Sequence, residues 1–328
     1  MKLYTSPLDK ALDIERVLSG SEPVEWQQLQ FFCHSRFGLV TDSLRRQIWP
    51  RLLGLCPGNA VASNCATHCK FDSLIHMDIV RSLYNFDVLK GQTAESRASQ
   101  AAQLTQLMAR ILQEDSELHY FQGFHDICTV FLLVAGEDLA YLLLQRFVYT
   151  HCHASMRKTF AEVTEMLSLS LRILRHADSA LSERIELLQE EVTTRQTPMF
   201  ALSWVLTFFA HVIPCFMQAA RVFDFCLTDP LAVLYLTASV ILLEKPAVEQ
   251  MKDLPDLHKH FGSVVKTLDW EAACTQAASL MHSQPPSQLL HPRPWQHRVL
   301  TRASKSAQAL GSFFLTSWAR QYAVFNVK

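Results

Sequence analysis

Apolar residues recur at helical intervals along most of this chain. Leu104, Leu107, Met108, Ile111 and Leu112 stand at the i, i+3, i+4, i+7 positions of an amphipathic helix. Residues 127–134 are almost wholly apolar and stop at Gly136, as a buried helix would. Between the two lies Tyr120-Phe121-Gln122-Gly123-Phe124-His125-Asp126, where an amide, a glycine, an imidazole and a carboxylate crowd the start of a helix. Gly123 permits a sharp turn or a close approach. Asp126 stands where a carboxylate caps the free amides of a following helix. Gln122 is left at the corner.

Upstream, Trp26, Leu29, Phe31 and Phe32 predict a short helix from Val24 that ends before Gly38. Thr41, Asp42 and Ser43 offer N-caps for a helix through Leu44, Ile48, Trp49 and Leu52, closed by Gly54, with a kink or early end expected at Pro50. Residues 55–70 read as a loop. A helix from about Asp72 sets Leu74, Ile75, Ile79 and Leu83 on one face and leaves Asp78 and Arg81 off it; residues 84–100 lack period and read as exposed loop. Downstream, helical spacing covers 139–149, 160–174, 181–188, 200–212, 219–227 and 231–243. A further helix runs through Leu257, Phe261, Val264, Val265 and Leu268, and Asp269 caps one more through Met281. No repeat of fixed period appears, so a solenoid is not favoured. The expected architecture is one all-α domain over 23–284, with a loose lead-in at 1–22 and a peripheral tail at 285–328.

Composition narrows the class. The chain has 328 residues, 49% hydrophobic and 19% charged, which is globular rather than disordered. Glycine is scarce, at 9, and Asn-Gly and Asp-Gly hairpin signals are absent, which argues against a β-rich fold. A formal charge of -1 exerts no global pull on nucleic acid or anionic lipid, so no nucleic-acid partner is expected. Nine scattered cysteines without a leader read as reduced thiols in a cytoplasmic setting. Cys56, Cys65, His68 and Cys69, like His151, Cys152 and His153, are zinc-ligand types whose spacing matches no familiar finger, so no metal is expected. No segment reaches the roughly 18 uninterrupted apolar residues of a membrane span; the 200–216 run is broken by His211 and Pro214.

Four blocks in order carry a family resemblance. They are Arg45-Arg46-Gln47-Ile48-Trp49-Pro50, Ile75-His76-Met77-Asp78-Ile79-Val80-Arg81, Tyr120-Phe121-Gln122-Gly123, and Phe200-Ala201-Leu202-Ser203-Trp204 with Arg221-Val222-Phe223-Asp224-Phe225. Together they resemble the TBC-domain Rab GTPase-activating proteins, with their Arg-x-x-x-Trp-Pro, Ile-x-x-Asp-x-x-Arg and Tyr-x-Gln-Gly motifs. Each motif is weak alone; the ordered set, over most of 40–285, is specific. His125 in place of the commoner Asn and the Phe-Ala-Leu-Ser-Trp block resemble the endoplasmic-reticulum branch, which acts on the Rab of early secretory traffic and binds reticulons.

The resemblance implies a partner, a GTP-bound Rab, and no cofactor of the chain's own beyond the GTP and Mg that the Rab holds. It implies that the chain is no hydrolase itself but lends side chains in trans. Arg81 matches the arginine finger, whose fixed charge and planar fork suit the charge spread over a transferring phosphoryl group. Gln122 matches the glutamine finger; a carboxamide donates and accepts at once, as orienting water requires. Asp78 lies one helical turn before Arg81 and is placed to steer it or to pair with Arg45. Tyr120, Gly123, Asp126 and Arg45 are expected to position the loop, with Gly123 clearing space for the partner. Trp49, Trp204, Arg221 and Asp224 are assigned to architecture, and His125 reads as a hydrogen-bonded core histidine. The branch implies endoplasmic-reticulum or Golgi membranes and a reticulon-like or membrane partner. Against anchoring, Phe313, Phe314, Leu315 and Trp318 meet Arg320 too soon to span a bilayer; a surface-bound amphipathic helix and a packed terminal helix stay open. Two rival functions stand beside the activator: a Rab-binding scaffold of the same fold that accelerates nothing, and a cysteine/histidine metal protein.

Overall fold

Side-chain caps start several helices where the hydrophobic pattern marks them. The computed structural model describes residues 3–55, 69–82, 85–189 and 197–289, without the side chains of Arg81 and Ser82, and every regular element among the described residues is helical. α1 (Pro7–Leu18) opens on Ser6, whose hydroxyl accepts from the Asp9 amide. After α2 (Trp26–His34), α3 (Asp42–Leu52) begins at Thr41, whose Oγ1 accepts from the Leu44 amide at 3.3 Å. α4 (Asp72–Ser82), α5 (Ala94–Gln113), α6 (Phe124–Ala135) and α7 (Glu137–Phe147) follow, α7 widening into a π turn at Val148–Cys152. α8 (Ala161–Ala177) and α9 (Ser179–Gln189) pack on each other. Then come α10 (Leu202–Thr207), α11 (Phe216–Cys226), α12 (Ala232–Leu243), α13 (Lys245–Val248) and α14 (Leu254–Val264). α15 (Trp270–Ser283) is capped by Asp269, which accepts from the Glu271 and Ala272 amides, and α16 (Pro286–Leu289) ends the described chain.

Two helices organise the core. α12 is buried from Ala232 to Ile241, between α8 and α15; a helix apolar on all sides has no face to give to water. α6 lies against α3, α4, α5, α7, α10 and α11. Its Phe131 sits with ring centroids 5.5 Å from Trp49, 5.2 Å from Phe147 and 5.6 Å from Phe223, which ties the first and second halves of the domain together.

Several elements depart from the pattern-based expectation. Within the expected lead-in at 1–22, the described residues hold a packed helix rather than a loose segment: α1 is fastened by Lys10, fully buried, whose Nζ donates to the Phe32, Ser35 and Arg36 carbonyls at 2.7–2.9 Å. α3 does not end at Pro50 but runs on to Leu52, although the amide that proline lacks costs the helix one backbone bond near its C-terminal end. α5 begins at Ala94, within the expected 84–100 loop, because Thr93 caps it by accepting from the Ser96 amide. The 200–212 helix stops at Thr207: Phe208 and Phe209 take φ of +51° and +63° to bury both rings, so packing overrides helical continuity. α4 is rotated from the predicted face. Ile75, Asp78 and Ile79 point inward while Leu74 is 49% exposed, and Leu83 lies outside the described residues.

Candidate functional site

Arg81 stands near the end of α4 and Gln122 in the turn that opens α6, and cross-links join the chain on either side of them. Before both, the Tyr120 hydroxyl donates to Asp78 Oδ2 at 2.5 Å and lies 3.2 Å from His125 Nδ1. Beyond both, Asn85 Nδ2 donates to Asp126 Oδ1 at 3.0 Å. The backbone at residue 81 and the turn at residue 122 are thus clasped together. Gln122 is exposed, on a turn whose neighbours Phe121 and Gly123 are buried. The side chain of Arg81 lies outside the described residues.

The turn demands a glycine for two reasons. Gly123 has φ +103°, and a Cβ there would sit 2.5 Å from Thr207 Cγ2. The clearance expected towards an outside partner is therefore taken up inside the chain, by the last residue of α10. Gly123 is also the N-cap of α6, and no side chain caps that helix, which corrects the capping role expected of Asp126. Asp126 instead sits buried in the first turn, where the helix dipole favours a carboxylate, and its Oδ2 receives His211 Nδ1 at 2.8 Å. That hydrogen bond raises the His211 pKa above its ordinary value, against the opposing effect of burial. Burial, and then the Asp78 carboxylate, push the Tyr120 phenol up, so it keeps the hydrogen it donates. His125 is the core histidine expected, 2% exposed.

Asp78 does not pair with Arg45. The Arg45 fork is committed elsewhere, through Nε and Nη2 to Asp224 at 3.0 and 3.1 Å and through Nη1 to Asp42 at 2.7 Å. Arg45 accordingly leaves the loop-positioning set and joins the architecture. Asp224, with no exposed surface, also accepts from Trp49 Nε1 at 2.9 Å and the Leu39 amide at 3.0 Å. Arg221 completes this hub by donating to Glu271 at 2.9 Å and to the Cys33 carbonyl at 3.0 Å. Trp204 is buried against Phe200, Phe209 and Phe261.

Asn85, Thr207 and His211 join the site only in the folded chain. The one visible signal was His211 itself, a polar interruption of the apolar 200–216 run. Among the described residues no group of three or more His, Cys, Asp or Glu is placed to hold a metal ion; Cys56, Cys65 and His68 lie outside them. The seven described cysteines are free, and no described helix is long and apolar enough to cross a membrane. The tail cluster around Phe313 lies outside the described residues.

The architecture is all-helical among the described residues, and residues 42–248 match the Rab-GTPase-TBC domain family, to which the chain belongs. It is 31% identical over 285 residues to TBC1 domain family member 20 of Bos taurus, covering 85% of this chain and 68% of that one. It is 27% identical over 219 residues to the GTPase-activating protein gyp10 of Schizosaccharomyces pombe, covering 65% and 56%. In three dimensions it resembles the Ypt/Rab-GAP domain of Gyp1p, with a TM-score of 0.63 at 12% identity over 85% of this chain and 98% of that domain, a likeness of fold alone.

Proposed function

We propose that this chain is a GTPase-activating protein for a Rab-family small GTPase, with Arg81 as the arginine finger and Gln122 as the glutamine finger. The observation that carries the reading is the pair of cross-links, Asp78–Tyr120 and Asn85–Asp126, that bracket the two finger positions. Hydrolysis of bound GTP needs charge neutralised on the transferring phosphoryl oxygens and a water held in line. A guanidinium supplies the first, and an exposed carboxamide on a rigid turn supplies the second. The outward side of α4 supports a docking partner as well. Leu74, Met77 and Val80 are 49%, 51% and 61% exposed, apolar where a solvated helix is ordinarily polar, and they lead along the helix to residue 81. A site of action on endoplasmic-reticulum or Golgi membranes, with a reticulon-like partner, follows from the branch resemblance alone; fractionation of the tagged protein tests it.

Single-turnover GTP hydrolysis across a Rab panel tests the activity. At least one Rab is expected to accelerate strongly, and Arg81→Ala to remove about 10³-fold or more of that acceleration, roughly 4 kcal/mol, without changing the melting curve. Gln122→Ala is expected to act in the same direction. Undiminished acceleration by Arg81→Ala overturns the mechanism. Tight Rab binding with less than about tenfold acceleration, or about 1.4 kcal/mol, favours a non-catalytic Rab-binding scaffold.

A further inference from the structure

We propose that His211 is a positioning residue that, through Asp126, holds the Gln122 turn and the chain just beyond Arg81 in one geometry. The inference rests on the GTPase-activating reading above. Asp126 is 2% exposed, and its two oxygens are divided: Oδ1 takes the Asn85 amide, while Oδ2 takes the His211 imidazole at 2.8 Å and lies 3.4 Å from His125 Nε2. His211 thus makes the shorter of the two imidazole contacts to the carboxylate against which Asn85 is aligned. The same short stretch supports the turn a second time. The His211 backbone amide donates to Thr207 Oγ1 at 3.3 Å, and Thr207 Cγ2 fills the space beside Gly123. Residues 207–211 come from neither finger-bearing segment, yet they brace one finger's turn from below and the other finger's exit from the side. Asp87 reinforces this lacing: its amide donates to the Pro214 carbonyl at 2.9 Å and its carboxylate accepts from the Phe216 amide at 3.0 Å.

His211 is also the accessible member of the group, with 40% of its side chain exposed at the edge of the site. The titratable groups around it are Asp126 and His125 on α6 and Asp78 on α4. Protonated, His211 grips Asp126 as an ion pair; neutral, it keeps only a hydrogen bond through Nδ1. The clasp is accordingly firmest at low pH and relaxes as pH rises through the elevated His211 pKa.

The test is single-turnover hydrolysis with the most strongly stimulated Rab, with activator titrated to saturation from about pH 6 to about pH 8.5, across the histidine range. Wild type, His211→Ala and His211→Asn are compared. His211→Ala is expected to lower the saturating rate about 10–100-fold, through misplacement of the turn, with the half-saturating concentration within about twofold. His211→Asn, whose amide sets a donor where Nδ1 lies, is expected to recover most of that rate and to lose the decline with pH that wild type shows. A saturating rate in folded His211→Ala equal to wild type overturns the proposal, as does a wild-type pH dependence unchanged in His211→Asn; the second comparison decides if His211→Ala does not fold. A wild type that accelerates no Rab overturns the activating reading itself, and is told apart because no wild-type acceleration then exists to compare.

Discussion

Asp224 and Asp126 are both buried carboxylates at the meeting of distant segments, yet they are built for different ends. Asp224 is surrounded by donors that do not titrate near neutrality: the Arg45 fork, the Trp49 indole and the Leu39 amide. Each is packed in the interior, and Gly38 closes the hub so tightly that a Cβ there would lie 2.6 Å from Asp224 Oδ2 and 2.7 Å from Arg221 Cδ. Asp126 is held by the Asn85 amide and the His211 imidazole, with His125 Nε2 3.4 Å away, and the His211 ring is 40% exposed. The first hub is complete within itself. The second joins α6, the chain after α4 and the 207–211 turn at the surface, so its state is set partly by solvent. A buried charge with fixed partners builds a fold, whereas one with an accessible, titratable partner tunes a site.

Breaking the two carboxylates should separate these roles. Asp224→Ala leaves Arg45 charged and buried with only Asp42, and is expected to cost about 3–5 kcal/mol in a denaturant melt. Asp126→Ala is expected to cost about 1–3 kcal/mol, the penalty for unpaired Asn85 and His211, while lowering stimulated hydrolysis far more than that loss of folded protein explains. Equal melting losses, or an active Asp126→Ala protein, would dissolve the distinction. The two glycines sharpen it. Gly38→Ala and Gly123→Ala each force a side chain into positive φ, at about 1–3 kcal/mol. Gly38→Ala should appear mainly as a lower melting temperature, since its Cβ meets the Asp224 hub. Gly123→Ala should appear mainly as a slower saturating rate, since its Cβ displaces the Gln122 turn from Thr207.

The pH response differs in sign between regions. Burial lowers the pKa of His34 and of His151 to about 3, so both stay neutral in the fold, whereas the unfolded chain takes protons on them near the ordinary value. Their contribution is whole above the ordinary histidine range and is lost as pH falls from there towards about 3. His211, with its pKa raised, contributes most below the ordinary value and loses that contribution as pH rises through the elevated one. Melts over this range should lose stability on acidification, and His211→Asn should remove only the loss on the alkaline side. A melt unchanged by acid would refute the assignment of His34 and His151 as neutral.

What the sequence determined by itself was local and periodic. Helix spacing located nearly all the helices, Thr41 and Asp269 announced their caps, and the order of Arg81, Gln122, Trp49 and Asp224 marked the family frame. What the tertiary structure decided was everything that depends on a partner far along the chain. The choice of Asp224 rather than Asp78 for Arg45 joins positions 179 residues apart. The diversion of Asp126 from cap to clasp depends on His211, 85 residues away. The rotation of α4 brings Asp78 to a Tyr120 hydroxyl that no spacing within α4 encodes. Short-range sterics and capping are written in neighbouring residues, whereas a buried polar group accepts whichever donor the packed fold brings within about 3 Å, and only the completed core decides which one that is.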